Sequence, residues 1–113
     1  MSKERFEILK SSSYYFRLIA PNNEIIGYDT DFNTKEICQQ GIADVRSYSQ
    51  NQNNFTHWQS ATDKRWYFNL RKGSKEAVII LRSESYVTEQ SCLNGINSVQ
   101  KFASTAEIID RTL

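Results

Sequence analysis

The most constraining feature of this chain is that it contains the same pattern twice. The segment CQQGIADV at 38–45 returns as CLNGINSV at 92–99, and YFRL at 15–18 returns as YFNL at 67–70. Such a repeat indicates two copies of one supersecondary unit stacked on a common core. A unit of roughly 50 residues buries too little apolar surface to be stable alone. We therefore expect the two copies to fold together.

The duplication defines the expected domain organisation. A chain of 113 residues has an ordinary single-domain length. We predict one domain over residues 1–113, with repeat 1 over about 3–53 and repeat 2 over about 54–113. The internal repeat also predicts a monomer with pseudo-twofold symmetry.

Local sequence in repeat 1 predicts three strands followed by a helix. Residues 6–10 and 14–19 alternate apolar and polar side chains, which is typical of strands. A Pro-Asn-Asn turn precedes a third predicted strand at 24–28. Thr34 can cap a helix that begins at Lys35. The apolar positions of that helix recur at helical spacing and predict its buried face: Cys38, Gly41, Ile42, Val45 and Tyr48.

Repeat 2 follows the same order of elements. Residues 57–70 align without gaps on the start of repeat 1, but 60–62 have lost the strand signal and predict an irregular segment. We expect a strand around 77–81, a second helix capped by Thr88 and a last short strand at 108–109. The second helical stripe matches the first: Cys92, Gly95, Ile96, Val99 and Phe102. A mid-helix glycine costs about 1 kcal/mol relative to alanine, so its recurrence predicts a close approach of each helix to the sheet or to its twin.

The doubled motif is specific enough to compare with known families. Its best copy combines YFNL at 67–70, a threonine helix cap and NGINSV at 94–99, and repeat 1 carries a matching strand at 6–10 and YFRL at 15–18. This combination resembles the YegP-like family of small bacterial proteins. The resemblance implies an α+β fold of two tandem β-β-β-α-β repeats sharing one antiparallel sheet, with exchanged C-terminal strands and two helices on one face. It implies no activity and no ligand-binding residues.

Charge and hydropathy exclude several classes of function. The chain has 14 basic and 13 acidic residues, which are interspersed, so no charged field favours duplex nucleic acid or a membrane surface. No apolar run approaches the roughly 20 residues that cross a bilayer. The charged start, 1–5, is not followed by an apolar stretch of a secretory signal. We therefore expect a cytoplasmic protein in which Cys38 and Cys92 are reduced and buried.

No group of residues indicates catalysis, a metal or a cofactor. His57 is the only histidine and lies where a strand begins, whereas both cysteines lie on the buried faces of helices. A nucleophilic pair requires hydrogen-bond reach, and a zinc site requires three or four close ligands. No glycine-rich loop precedes either helix, so a phosphate site is not indicated. We expect no enzyme activity, no cofactor and no metal.

The candidate binding surface is the sheet face that points away from the helices. Neighbouring side chains of a strand project to opposite faces. If Phe16, Leu18, Phe68 and Leu70 face the helices, the opposite face carries Tyr15, Arg17, Tyr67, Asn69 and Arg71. Aromatic and arginine side chains can anchor a protein partner or stack on single-stranded bases. They can equally stabilise a solvated sheet by cross-strand pairing.

The predicted function is a non-enzymatic structural or protein-interaction module whose partner is unknown. The alternative is binding of a small ligand or of single-stranded nucleic acid through the same open sheet face. The sequence favours a protein partner over nucleic acid because the net charge is only +1.

Overall fold

Three strands precede each helix, in the order that the duplication predicts. The structure is a computed structural model, and it describes residues 3–74 and 76–113. Its elements are β1 (Arg5–Lys10), β2 (Tyr14–Ile19), β3 (Ile25–Phe32), α1 (Lys35–Tyr48), a 3-10 turn (Gln52–Asn54), β4 (Phe55–Gln59), β5 (Trp66–Arg71), β6 (Ile79–Arg82), α2 (Glu89–Phe102) and β7 (Glu107–Asp110). The expected irregular segment of repeat 2 is present, since β4 ends at Gln59 and a turn follows.

The strands form one sheet in the order β4-β5-β6-β3-β2-β1-β7. The two repeats meet at β3 and β6, where Tyr28 pairs directly with Arg82. These two residues hold the same position in the two repeats, so the pseudo-twofold axis passes between them. Five of the six strand pairs are antiparallel and β1–β7 is parallel. The expected antiparallel sheet is therefore mixed at this edge, because β7 reaches β1 through a helical crossover instead of a hairpin.

The C-terminal strands are exchanged between the repeats. The last strand of repeat 2, β7, pairs with β1 of repeat 1. The strand that follows α1 is β4, and it pairs with β5 of repeat 2. Because β4 is also the first strand of repeat 2, the sheet has seven strands where two complete units would supply eight. The outer edge of β1 is covered by β7, whereas β4 is the other end of the sheet.

Both helices begin at the predicted threonine caps and lie on one face of the sheet. Thr34 Oγ1 accepts a hydrogen bond of 3.1 Å from the backbone N–H of Ile37, and Thr88 Oγ1 accepts one of 3.1 Å from Ser91. One core joins the two repeats, which is why neither needs a core of its own. Its fully buried side chains include Phe6, Ile8, Phe16, Leu18, Ile42, Val45, Phe68, Leu70, Leu81 and Val99.

The mid-helix glycines let each helix approach the aromatic rings of the sheet. A Cβ on Gly41 would lie 2.9 Å from Cζ of Phe32, and a Cβ on Gly95 would lie 2.2 Å from the hydroxyl oxygen of Tyr86. Phe32 and Tyr86 hold equivalent positions in the two repeats. The predicted close approach is therefore confirmed, and its partner is the sheet.

The two thiols are unpaired and buried in the core, as expected. Burial raises the pKa of both Cys38 and Cys92 to about 11. Neither sulfur therefore carries a useful fraction of thiolate near neutral pH. Over the described part of the chain, neither helix has the length and apolar character needed to span a bilayer.

Candidate functional site

A row of side chains crosses the open sheet face from one edge to the other. Directly opposed residues of neighbouring strands share a face, and the strand registers join seven such positions in sequence across the sheet. In order they are Thr56, Asn69, Arg82, Tyr28, Arg17, Glu7 and Ile109. We call them the central row. Its middle is Tyr28, which lies between Arg82 on one side and Arg17 on the other.

Glu7 is the centre of an ion-pair network at the repeat 1 end of the central row. Its carboxylate accepts hydrogen bonds from Arg5 at 3.0 Å, Arg17 at 3.3 Å and Arg111 at 2.9 Å. Burial alone would raise the pKa of Glu7, but the bonds from Arg111 and Arg5 outweigh it, and the pKa lies below its ordinary value. Glu7 is therefore ionised at neutral pH and shared by three cations.

Arg17 is not fully satisfied by this network. Its Nε is buried and has no hydrogen-bond partner among the residues that the structure describes. An unpaired buried donor costs free energy. Positive charge also exceeds negative charge around Glu7, since three guanidinium groups share one carboxylate. This end of the face therefore favours an anionic group on whatever binds there.

Arg82, on the other side of Tyr28, is paired with Asp29. Burial raises the pKa of Asp29, and its hydrogen bonds with the Thr30 backbone and Arg82 only partly oppose that effect. The side chain of Arg82 is nevertheless nearly half exposed. It can therefore keep the ion pair with Asp29 and still present an edge to a bound group.

Aromatic side chains form a shallow groove beside Arg82. Trp58 of β4 and Tyr67 of β5 stack with their ring centroids 5.9 Å apart, and Trp58 is 42% exposed. The Tyr67 hydroxyl donates a 2.6 Å hydrogen bond to Asp63, which raises the pKa of Tyr67 and lowers that of Asp63. With Tyr28 and Asn69 these rings line a groove of about 280 Å³.

The structure places all five residues of the sequence-predicted surface on the open face, but not in one cluster. Arg17 and Asn69 lie in the central row, and Tyr67 lies in the aromatic groove. Tyr15 lies outside both the central row and the aromatic groove, opposite Leu9 of β1. Arg71 is also separate, because its Nη1 donates a 2.9 Å hydrogen bond to the Ala77 carbonyl.

Several further residues of the face were not predicted from the sequence, among them Glu7, Tyr28, Trp58 and Arg82. The sequence shows that Tyr28 and Arg82 are equivalent positions of the two repeats, but only the strand register shows that this pair meets at the pseudo-twofold axis. Glu7 and Trp58 had no such signal, because their partners, Arg111 just after β7 and Tyr67 on β5, come near only in the assembled sheet.

A second concavity lies on the helical side of the molecule. It runs between the β2–β3 hairpin and α2 and has a volume of about 590 Å³. Its walls include Pro21 and Glu24 of the hairpin, Asn94 and Ser98 of α2, and the ring of Tyr86. We call it the α2 cleft. A neighbouring cleft of about 530 Å³ continues from it toward Glu84 and shares the same tyrosine.

The described residues offer no metal centre. No group of three or more His, Cys, Asp and Glu side chains over 3–74 and 76–113 is placed to hold a metal ion. His57 Nε2 lies 3.1 Å from the carboxylate of Glu89 at the start of α2. Both cysteines are buried in the core.

Comparison with known proteins identifies the family. The family described as Domain of unknown function (DUF1508) matches twice, over residues 10–55 and 61–110. The chain belongs to this family. The two matches coincide with the two repeats, so the family unit is one repeat and this chain contains a tandem pair.

Relatives of the family match over nearly the whole chain. The UPF0339 protein YegP of Escherichia coli K12 is 34% identical over 109 residues, covering 95% of this chain and 96% of the relative. The solution NMR structure of yegP from E. coli superposes with a TM-score of 0.86 at 32% identity, covering 98% of this chain and 95% of that one. UPF0339 protein SO3888 of Shewanella oneidensis gives a TM-score of 0.84 at 30% identity, covering 97% and 92%. The E. coli protein is described as being of unknown function.

Proposed function

We propose that this protein is a non-enzymatic interaction module that binds a protein partner through its open sheet face. The observation that carries the proposal is the central row, in which Tyr28 lies between two arginines and beside the exposed ring of Trp58. Tryptophan, tyrosine and arginine are the residues that most often dominate the binding energy of protein interfaces. Here they lie together on one continuous face of a rigid sheet.

The chemistry of the face favours a partner segment with acidic and apolar side chains. Three arginines share the single carboxylate of Glu7, so a partner carboxylate could satisfy them. The Trp58–Tyr67 stack provides an apolar and aromatic surface a few strands away. A segment that lies across the strands would reach both regions at once.

The absence of catalysis is part of the proposal and has two supports. Both thiols are buried and have a pKa of about 11, so neither is an available nucleophile. The strongly hydrogen-bonded carboxylate of Glu7 is held in its ionised form by arginines, which suits an ion-pair network better than a proton-transfer role. We place the protein in the bacterial cytoplasm, because its cysteines are unpaired and its family relatives are bacterial. We propose a monomer, because the internal repeat already supplies the twofold arrangement within one chain.

The second candidate is binding of single-stranded nucleic acid or a small ligand to the same face. The alternation of Arg82, Tyr28 and Arg17 favours it, because single-strand binders combine cations with rings on which bases stack. The aromatic groove of about 280 Å³ is at the lower limit of small-ligand sites. The near-neutral overall charge supports the protein partner over nucleic acid.

Affinity capture with a matched pair of variants tests the proposal. The face variant carries Tyr28→Ser, Trp58→Ser and Arg82→Gln. The control variant carries Ile37→Ser and Val87→Ser, which are exposed on the helical side. We expect a partner that binds the wild type and the control and is lost with the face variant. The partner is then purified and its binding confirmed by calorimetry.

The outcomes separate the candidates. A partner that survives nuclease treatment and weakens only modestly with salt supports the protein interface. Binding that disappears with nuclease and falls steeply with salt supports nucleic acid, since counterion release gives a steep dependence. Equal capture by wild type and face variant would reject the open face as the binding surface.

A further inference from the structure

The two repeats differ in how the hairpin of one repeat contacts the helix of the other. On one side, the Lys72 ammonium of the β5–β6 hairpin lies 3.6 Å from the Asp44 carboxylate of α1, and this ion pair links the hairpin to the helix. The equivalent positions on the other side are Ala20 and Ser98. These two residues cannot form an ion pair, and they line the α2 cleft.

The sequence of repeat 2 places a hydroxyl in this cleft. Tyr86 is the equivalent of Phe32 in repeat 1. Its ring packs on Phe68 with centroids 6.1 Å apart and fills the space above Gly95. Its backbone is held by reciprocal hydrogen bonds of 2.8 Å with Trp66. Nothing in the described residues donates to or accepts from the Tyr86 hydroxyl, although the ring lines both connected clefts.

The charge of the walls restricts what can enter. Glu24 lines both clefts and Glu84 lines the second, and neither has an ion-pair partner within residues 3–74 and 76–113. Among the residues that the structure describes, no lysine, arginine or histidine lines either cleft. Lys101 lies near one end, with its ammonium 5.3 Å from the ring of Phe102, but it is not part of the walls. Anionic ligands are therefore disfavoured.

The remaining walls supply an apolar surface and oxygen acceptors. Ile25, Ile26 and Phe102 form the apolar part. Ser91 and Ser98, two turns apart on α2, line the cleft, and the part of the Tyr86 ring that is not stacked on Phe68 can receive a cation. The volume of about 590 Å³ lies within the range of small-molecule sites.

We propose that the α2 cleft binds a small organic ammonium ion, with the ammonium group between Glu24 and Tyr86 and the carbon chain against Ile25 and Phe102. This site is on the helical side of the sheet, so it is independent of the open face and of the proposed partner.

Three probes of equal carbon chain test the site: n-butylammonium, n-butanol and butyrate. Each is titrated into the full chain while backbone amide shifts are recorded by NMR. We expect saturable shifts with n-butylammonium at Ser91, Gly95 and Ser98, with a dissociation constant in the millimolar range for so small a ligand. Butanol should bind about fivefold more weakly, and butyrate should not saturate.

Equal affinity for butanol and n-butylammonium would show that the cleft recognises only the carbon chain, and the proposal would fail. Saturable binding of butyrate, or no saturation by n-butylammonium, would also overturn it. Shifts confined to the central row would place the ammonium on the open face and refute the α2 site.

Variants assign the interaction to the cleft. Glu24→Gln should weaken the binding of n-butylammonium about three- to fivefold and leave the binding of butanol unchanged. Glu36→Gln, on the exposed start of α1, should change neither affinity.

The double variant Ala20→Lys with Ser98→Asp transfers the Lys72–Asp44 ion pair to this side and should abolish ammonium binding. If the double variant fails to fold, Glu24→Gln still decides the outcome, because Glu24 is exposed and its side chain makes no hydrogen bond with the described residues. Unchanged ammonium affinity in Glu24→Gln would reject the assignment.

Discussion

Replacing Gly95 by alanine provides a direct test of why a glycine lies in the middle of α2. In an isolated helix the change would stabilise by about 1 kcal/mol. In this fold the new Cβ would lie 2.2 Å from the Tyr86 hydroxyl oxygen, 2.7 Å from its Cζ and 3.0 Å from Cε2 of Phe68. Ordinary contacts begin near 3.4 Å, so the hydroxyl would have to move by roughly 1 Å. Phe68 is fully buried and cannot retreat.

Overpacking costs about 1–3 kcal/mol, and so short a contact lies in the upper part of that range, so the cost exceeds the helical gain of about 1 kcal/mol. We therefore expect Gly95→Ala to lower the free energy of unfolding by about 1–2 kcal/mol in urea titrations. Gly41→Ala is the matched control, since its nearest contact is 2.9 Å, to the tip of the half-buried Phe32 ring. Its gain and cost should nearly cancel. The two variants should therefore differ by about 1 kcal/mol.

A second-site change tests the cause. Tyr86→Phe removes the oxygen at 2.2 Å and makes repeat 2 resemble repeat 1 at this contact. Combined with Gly95→Ala, it should recover roughly half of the lost stability. If Gly95→Ala is as stable as the wild type, the close approach of α2 to the sheet does not explain the glycine.

Three more predictions concern the core, the exchanged strand and acid stability. Ile96→Ala should cost about 2–5 kcal/mol in denaturant unfolding, because Ile96 is 4% exposed in the shared core; a loss under about 0.5 kcal/mol would show that it is not core. Deleting residues 106–113 removes β7 and should unfold or dimerise the protein, whereas a monomer of unchanged melting temperature by light scattering and calorimetry would argue against the exchange. The hydrogen bond from Lys35 lowers the pKa of Asp110 from 3.8 to about 2. This contribution is present above pH 4 and is lost as the pH falls to about 2, so Asp110→Asn should flatten the melting temperature profile in that window.

Local signals in the sequence were sufficient for most elements of the fold. The threonine caps located the starts of both helices, and alternation located β1 and β2. The third strand of repeat 1 was predicted to end at Tyr28 but continues to Phe32. Its register with β2 shifts twice, and irregularities of this kind break the alternation on which the prediction depends.

Features that depend on pairs of distant residues were not predictable from one repeat at a time. The parallel β1–β7 pair depends on where α2 ends relative to the sheet, because β7 follows that helix directly. The central row depends on six registers being correct together. The α2 cleft exists where Lys72 and Asp44 have been replaced by Ala20 and Ser98, and that contrast becomes visible only when the hairpins are placed against the opposite helices.

The pairing of β1 with β7 also has a consequence for synthesis of the chain on the ribosome. Arg111 binds Glu7 across 104 residues of sequence, so the edge of β1 stays uncovered until nearly the whole described chain has emerged. At about 5–20 residues per second, that interval is roughly 5–20 s. An unpaired edge is a template for strands of other chains. Ribosomes that stall late in the message would therefore release products with an exposed β1 edge, which is open to pairing with other chains.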